Sequence, residues 1–185
     1  MELEGLLPRE STALVVVDIQ EKLFPRTHDH AALLERCLKV IEFCKRLGIP
    51  IVVTEQYPKG LGATLPAVRE ALGELYRPIS KTAFSCFGEE RFVDKIEELD
   101  VDSLALIGIE THVCIAQTAL VGMAYEYDMA VLSDCVSSRN PSDHQIGLQR
   151  LTNDGAVITG SEMFFYEMLV EAKTKDHEAV FDLLK

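Results

Sequence analysis

Cysteine is the residue type here whose position first suggests chemistry. The stretch "GIETHVC" (108–114) closes an apolar run and places His112 two residues before Cys114. Thr111 is a good helix N-cap, which predicts a helix over 112–127 with Cys114 in its first turn. A thiol there feels the positive end of the helix dipole, which favours thiolate. The first-turn N–H groups have no intrahelical acceptor and could bind a developing oxyanion. One turn could therefore supply a nucleophile and its oxyanion donors. A buried thiol opening an apolar helix fits the same residues equally well. His112 is a poor base for Cys114, because residues two apart on a helix point to nearly opposite sides. It reads as a solvent-facing or pocket-rim histidine, so a base must come from elsewhere.

Two candidates lie upstream. Asp18 ends the apolar run "ALVVVD", where an acid either caps a turn or sits in a site. Lys81 lies between Ser80 and Thr82, just before "AFSCF"; alone it reads as a solvated surface charge. The other cysteines differ from Cys114. Cys37 and Cys44 lie on the apolar stripe of a helix and read as small buried hydrophobes. Cys135, within a strand, is similar, and Cys86 is open. Five cysteines, an odd number with no Cys-x-x-Cys, point to reduced thiols and a cytoplasmic setting.

Strand-like and helical patterns alternate along the chain, and they must position these residues. "ALVVVDIQ" (13–20) is a β-branched run. Leu34, Cys37, Leu38, Ile41 and Cys44 then recur at helical spacing over 30–47. Gly48 and Pro50 end that helix, and "IVVTEQ" (51–56) is the second strand. A Gly/Pro-rich loop leads to a short helix near 66–73, and 78–87 is extended or irregular. Residues 89–98 are helical, 102–109 a buried strand, 129–136 a strand, 141–153 a helix and 155–163 the last strand, followed by one or two helices. Asn140–Pro141 reads as an N-cap and first helical residue; Asp134 fits a structural or a site role. Apolar strands alternating with helices predict a three-layer α/β/α fold with a mostly parallel, about six-stranded, Rossmann-like sheet. Ligands in such sheets sit beyond the strands' carboxyl ends, where strand order reverses. A dinucleotide site needs a glycine-rich first turn, and "DIQEKLFP" has no glycine.

Composition sets the outer bounds. The 185 residues, 48% apolar and 26% charged, suit a single domain over 1–185. A net charge of −12 disfavours nucleic acid and anionic membranes as partners. The first residues lack a basic-then-apolar pattern, so no signal peptide is expected.

Three pieces in order, "LVVVDIQEKLFP" with Asp18, "SKTAFSCF" with Lys81 and "GIETHVCIAQTA" with Cys114, resemble the isochorismatase-like cysteine hydrolase superfamily over nearly the whole chain. "TEQYPKGLG" and "GIETHVC" look closest to its isochorismatase-domain-containing members of unassigned substrate. The resemblance implies the isochorismatase-like hydrolase fold and an Asp18–Lys81–Cys114 triad. Asp18 would take the thiol proton and return it to the leaving amine. Lys81 would hold Asp18 ionised and help lower the thiol pKa. Cys114 would attack a carbonyl to give a thioester. The family also places a cis peptide at Ile109–Glu110, turning the Glu110 N–H beside that of Cys114 as the oxyanion hole. Members usually form dimers or larger homo-oligomers.

Two departures narrow the activity. Nicotinamidases of this superfamily bind a metal through an Asp-x-His pair and a further histidine after the second strand. Here that segment is "TEQYPKGLGAT", without histidine, so neither metal nor other cofactor is expected. Isochorismatases proper cleave a vinyl ether and lack the cysteine, so Cys114 argues for acyl transfer. The expected reaction is hydrolysis of a small carboxamide or related acyl compound. An isochorismatase-type hydrolase, or a non-catalytic binding or scaffold member, is the alternative. Gln20, Phe24, Gln56, Tyr57 and Phe84 are candidate substrate contacts, and Phe87 is a weaker one. Loop aromatics at strand ends also serve as core lids.

Overall fold

A computed structural model describes residues 5–185. Its six strands are β1 (Thr12–Val17), β2 (Ile51–Gln56), β3 (Ile79–Lys81), β4 (Ser103–Ile109), β5 (Asp128–Ser137) and β6 (Val157–Thr159). All neighbours pair in parallel, in the order β3-β2-β1-β4-β5-β6. Strand order therefore reverses between β1 and β4, and in such sheets ligands bind beyond the strands' carboxyl ends at that point. The helices are α1 (His30–Leu47), α2 (Pro58–Leu61), α3 (Pro66–Leu72), α4 (Glu90–Leu99), α5 (Ala116–Ala124), α6 (Pro141–Asp154), α7 (Ser161–Leu169) and α8 (Lys175–Val180).

Strand alternation divides the interior into two cores. Leu14 and Val16 of β1 face α1, α3, α7 and α8 through side chains such as Val40, Leu72, Phe164 and Val180. Ala13, Val15 and Val17 face the other layer, where Phe92 of α4, Ala119 of α5 and Leu151 of α6 pack. Burial of both faces is what makes these strands continuously apolar.

Three local expectations need correction. The helix over 112–127 begins as a π-turn, Thr111–Ile115, and α5 ends at Ala124. Thr111 is not the cap: Glu110 precedes the turn, and its carbonyl accepts from Val113 (3.0 Å) and Ile115 (3.2 Å). The Thr111 hydroxyl instead meets His144 Nδ1 at 2.9 Å. The last strand is three residues long rather than 155–163, because α7 starts at Ser161. Asp134 drives that early start by accepting from the Ser161 N–H (2.8 Å) and hydroxyl (2.5 Å), which gives Asp134 a capping role.

Gly108 allows β1 and β4 to meet. Its φ is +117°, and a Cβ there would lie 2.0 Å from the Val17 carbonyl oxygen. Only glycine lets β4 pass this close to the end of β1.

Candidate active site

The site lies where β1, β3 and β4 end. Asp18 follows β1 in the left-handed region, with φ 54°, which aspartate tolerates better than most residues. Lys81 is the last residue of β3, and Cys114 lies in the π-turn after β4. All three are buried: Asp18 at 0%, Lys81 at 2% and Cys114 at 5% exposure. Lys81 Nζ donates to Asp18 Oδ2 at 2.7 Å, to Gln56 Oε1 at 2.8 Å and to the Phe84 and Ala83 carbonyls at 3.1 and 3.3 Å. Its position is thus the opposite of a solvated surface charge. Asp18 Oδ1 accepts from the Thr54 hydroxyl at 2.8 Å. Besides burial, the Asp18 carboxylate acts directly on the Cys114 thiol and raises its pKa.

Electrostatics here oppose one expectation. Burial pushes the Cys114 thiol pKa well up, and the Asp18 charge adds to that; Lys81 pulls it down without winning. A thiol pKa raised in this way favours the neutral thiol over a preformed thiolate. For Lys81, burial favours the neutral amine, but the charge and hydrogen bond of Asp18 outweigh it and raise the pKa.

The turn before the cysteine supplies the donors. The peptide bond Ile109–Glu110 is cis. Among the described residues, the Glu110 N–H donates to no acceptor, and the Cys114 N–H to none outside its own turn. The Glu110 carboxylate, nearly buried, accepts from the Arg139 N–H (2.9 Å) and Nε (3.1 Å), which ties the turn to the end of β5. His112 Nδ1 meets the Ser138 hydroxyl at 2.9 Å, so His112 also ties the turn to that segment.

The expected substrate contacts separate into two groups. Gln20 is fully buried, and its amide is consumed by backbone: Nε2 donates to the Gln56 and Gly62 carbonyls (3.0 and 2.7 Å) and Oε1 accepts from the Gln56 N–H (2.8 Å). Gln56 spends its side chain on Lys81 and on the Thr82 carbonyl (2.8 Å). Both glutamines hold the site together and have little left for a ligand. Phe24 is buried in the α1-side core, on the other face of the sheet. Phe87 packs between Phe92 and Tyr125. Tyr57 and Phe84 are each 53% exposed, on the loops that carry Lys81's backbone partners. These two remain available at the rim.

Sequence reasoning missed Thr54 and Thr118 and left the role of Cys86 open. Thr54 is the first polar residue in "IVVTEQ", a signal that could have marked it. The Cys86 N–H donates to Thr118 Oγ1 at 3.0 Å, and nothing local in either segment announces that contact.

Two larger surface grooves contain none of Asp18, Lys81 and Cys114: one of about 740 Å³ along α7 and one of about 780 Å³ between β2, β3 and α4. Among the described residues, no three or more His, Cys, Asp or Glu side chains are arranged to hold a metal ion. No described helix is long and apolar enough to cross a membrane.

The Isochorismatase domain family matches residues 12–163. Isochorismatase family protein 1A of Dictyostelium discoideum is 34% identical over 99% of this chain and 90% of its own length. The MAR1 ribonuclease structure from Caenorhabditis elegans superposes with a TM-score of 0.90 at 31% identity, covering 97% of this chain and 92% of that one. The YcaC protein of Escherichia coli, an octameric hydrolase of unknown specificity, has the same fold, with a TM-score of 0.90 at 19% identity over 99% of this chain and 91% of that one. With the family match spanning most of its length, this chain belongs to the isochorismatase-like hydrolases, an α/β family whose sheet it reproduces.

Proposed function

We propose that this hydrolase cleaves the C–N bond of a small carboxamide through a Cys114 thioester. The observation that carries the reading is the buried Lys81–Asp18 pair, at 2.7 Å, set against the Cys114 thiol at the strand-order reversal. Asp18 removes the thiol proton as sulfur attacks the carbonyl carbon. The carbonyl oxygen becomes an oxyanion held by the Glu110 and Cys114 N–H groups. Collapse breaks the C–N bond, and Asp18 returns its proton to the leaving amine. Water then attacks the thioester, giving the acid and the free thiol. Lys81 holds Asp18 Oδ2 at 2.7 Å, which fixes the base in place beside the thiol.

The near-complete burial of Cys114 favours a small substrate, with Tyr57 and Phe84 as rim contacts. The same burial and the −12 net charge disfavour a polyanion such as RNA as substrate. No step requires a metal. A cytoplasmic location agrees with five free thiols. Assembly into a homo-oligomer belongs to the same reading: exposed Leu6, Met163, Tyr166 and Val170 line the groove along α7, a surface that copies could bury.

The test is a carboxamide panel followed by ammonia release, with and without chelator, and mass spectrometry for an acyl adduct on Cys114. The reading expects chelator-resistant turnover and an adduct that Cys114→Ala lacks. Ammonia release retained by Cys114→Ala would overturn it.

A further inference from the structure

Cys86 is a second buried thiol on the nucleophile's side of the sheet, and the mechanism above does not use it. It is fully buried, in the same core as Cys114. Its Sγ lies 3.8 Å from Thr54 Oγ1, whose hydroxyl lies 2.8 Å from Asp18 Oδ1. Its backbone N–H donates to Thr118 Oγ1, one helical turn beyond Cys114. The Cys86 thiol is thus held between the strand that supports the base and the helix that carries the nucleophile.

Bonding roles give the chain a direction. The Thr54 hydroxyl donates its one proton to Asp18 Oδ1. The lone pairs of Thr54 Oγ1 are then free to accept, and the Cys86 S–H supplies a proton. Burial, followed by the Asp18 charge, raises the Cys86 pKa to about 11, so the thiol keeps that proton at neutral pH.

We infer that Cys86 is a positioning residue acting through Thr54: its S–H orients the Thr54 hydroxyl and so keeps a hydrogen bond on Asp18 Oδ1, opposite the Lys81 bond on Oδ2. This rests on the reading of Asp18 as the base for Cys114. A carboxylate with a donor on each oxygen is fixed in its plane. Without Cys86, the Thr54 hydroxyl turns more freely and the bond weakens. Without the Thr54 hydroxyl, the bond is absent.

The test measures site-resolved iodoacetamide labelling of Cys114 against pH in the whole protein. In Cys86→Ala the pH of half-maximal labelling rises, and in Thr54→Val it rises further, by about half a unit or more. Cys86→Ser and Thr54→Ser keep the donor chain and return the profile toward wild type, which a packing role alone would not produce. Alanine and valine variants that superimpose on wild type would overturn the inference. A denaturation double-mutant cycle on Cys86→Ala and Thr54→Val provides a readout independent of reactivity. Non-additive losses are expected, and additive ones contradict the coupling. Wild-type Cys114 that labels at no pH would sink the proposed function, while the cycle would still decide the Cys86–Thr54 bond.

Discussion

The two faces of the sheet bury the same residue type to different ends. Cys44, on the α1 side, is surrounded by hydrocarbon, and desolvation alone pushes its pKa well up. Cys37 and Cys135 share that side, where Cys37 Sγ donates to the Cys135 carbonyl at 3.4 Å. Cys114, on the α5 side, is raised just as strongly, but it faces a carboxylate and an ammonium as well. Burial is common to both faces, and Asp134 lies near Cys135, but Asp134 is spent on capping α7 through Ser161; at Cys114 the carboxylate is instead paired with the buried Lys81. The lesson is that the pKa of a resting thiol does not identify a nucleophile in a closed site. The identity of the group ready to take its proton does.

The largest expected break in that comparison is Cys114→Ala, which lowers turnover on any accepted carboxamide by on the order of a thousandfold or more. Cys44→Ala leaves turnover unchanged. Steady-state ammonia release measures both.

Stability should separate the faces next. Lys81→Met leaves the Asp18 carboxylate buried without its cation and costs about 3–5 kcal/mol, read by chemical denaturation. The pH dependence has a definite sign. The folded pKa of Lys81 is raised, so its stabilising contribution is complete below the ordinary lysine pKa and disappears as pH rises through the raised value. The difference between wild type and Lys81→Met should therefore hold through neutral pH and shrink in strong alkali. A difference that grows with alkaline pH would contradict this assignment.

Gly108→Ala attacks the junction of β1 and β4 rather than the charges of the site. The added methyl meets the Val17 carbonyl oxygen at 2.0 Å, at a φ that alanine avoids. A loss of about 3 kcal/mol is expected, together with slower Cys114 labelling as the ends of β1 and β4 move apart. Cys44→Ala is the smallest change, about 1–2 kcal/mol for a small core cavity, with Cys114 labelling unchanged.

Much of this was legible before any coordinates. The bounds of α1 and β2 follow from an apolar stripe ended by Gly48 and Pro50, and Gly48 takes the left-handed C-cap conformation that glycine favours. The parallel sheet follows from strands apolar on both faces. What was not legible is non-local. Gln20 and Gln56 looked like substrate contacts because they sit beside the site, yet Gln20 bonds backbone on other segments and Gln56 bonds Lys81 and the Thr82 carbonyl. Phe24 follows Asp18 closely in sequence, but the chain turns it under the sheet into the opposite core. The π-turn was hidden because residue propensities describe i to i−4 bonding, whereas Ile115 reaches back five residues to Glu110. The raised thiol pKa was missed because helix-dipole reasoning assumes partial exposure, and Cys114 has almost none.

The most direct measurement is the iodoacetamide labelling rate of each of the five cysteines in the folded protein at neutral pH, compared between wild type and Asp18→Asn. The account predicts that Cys114 labels first, while Cys37, Cys44 and Cys135 remain protected, and that Asp18→Asn slows Cys114 at least about tenfold. Cys114 labelling no faster than Cys44, or unchanged by Asp18→Asn, would contradict it.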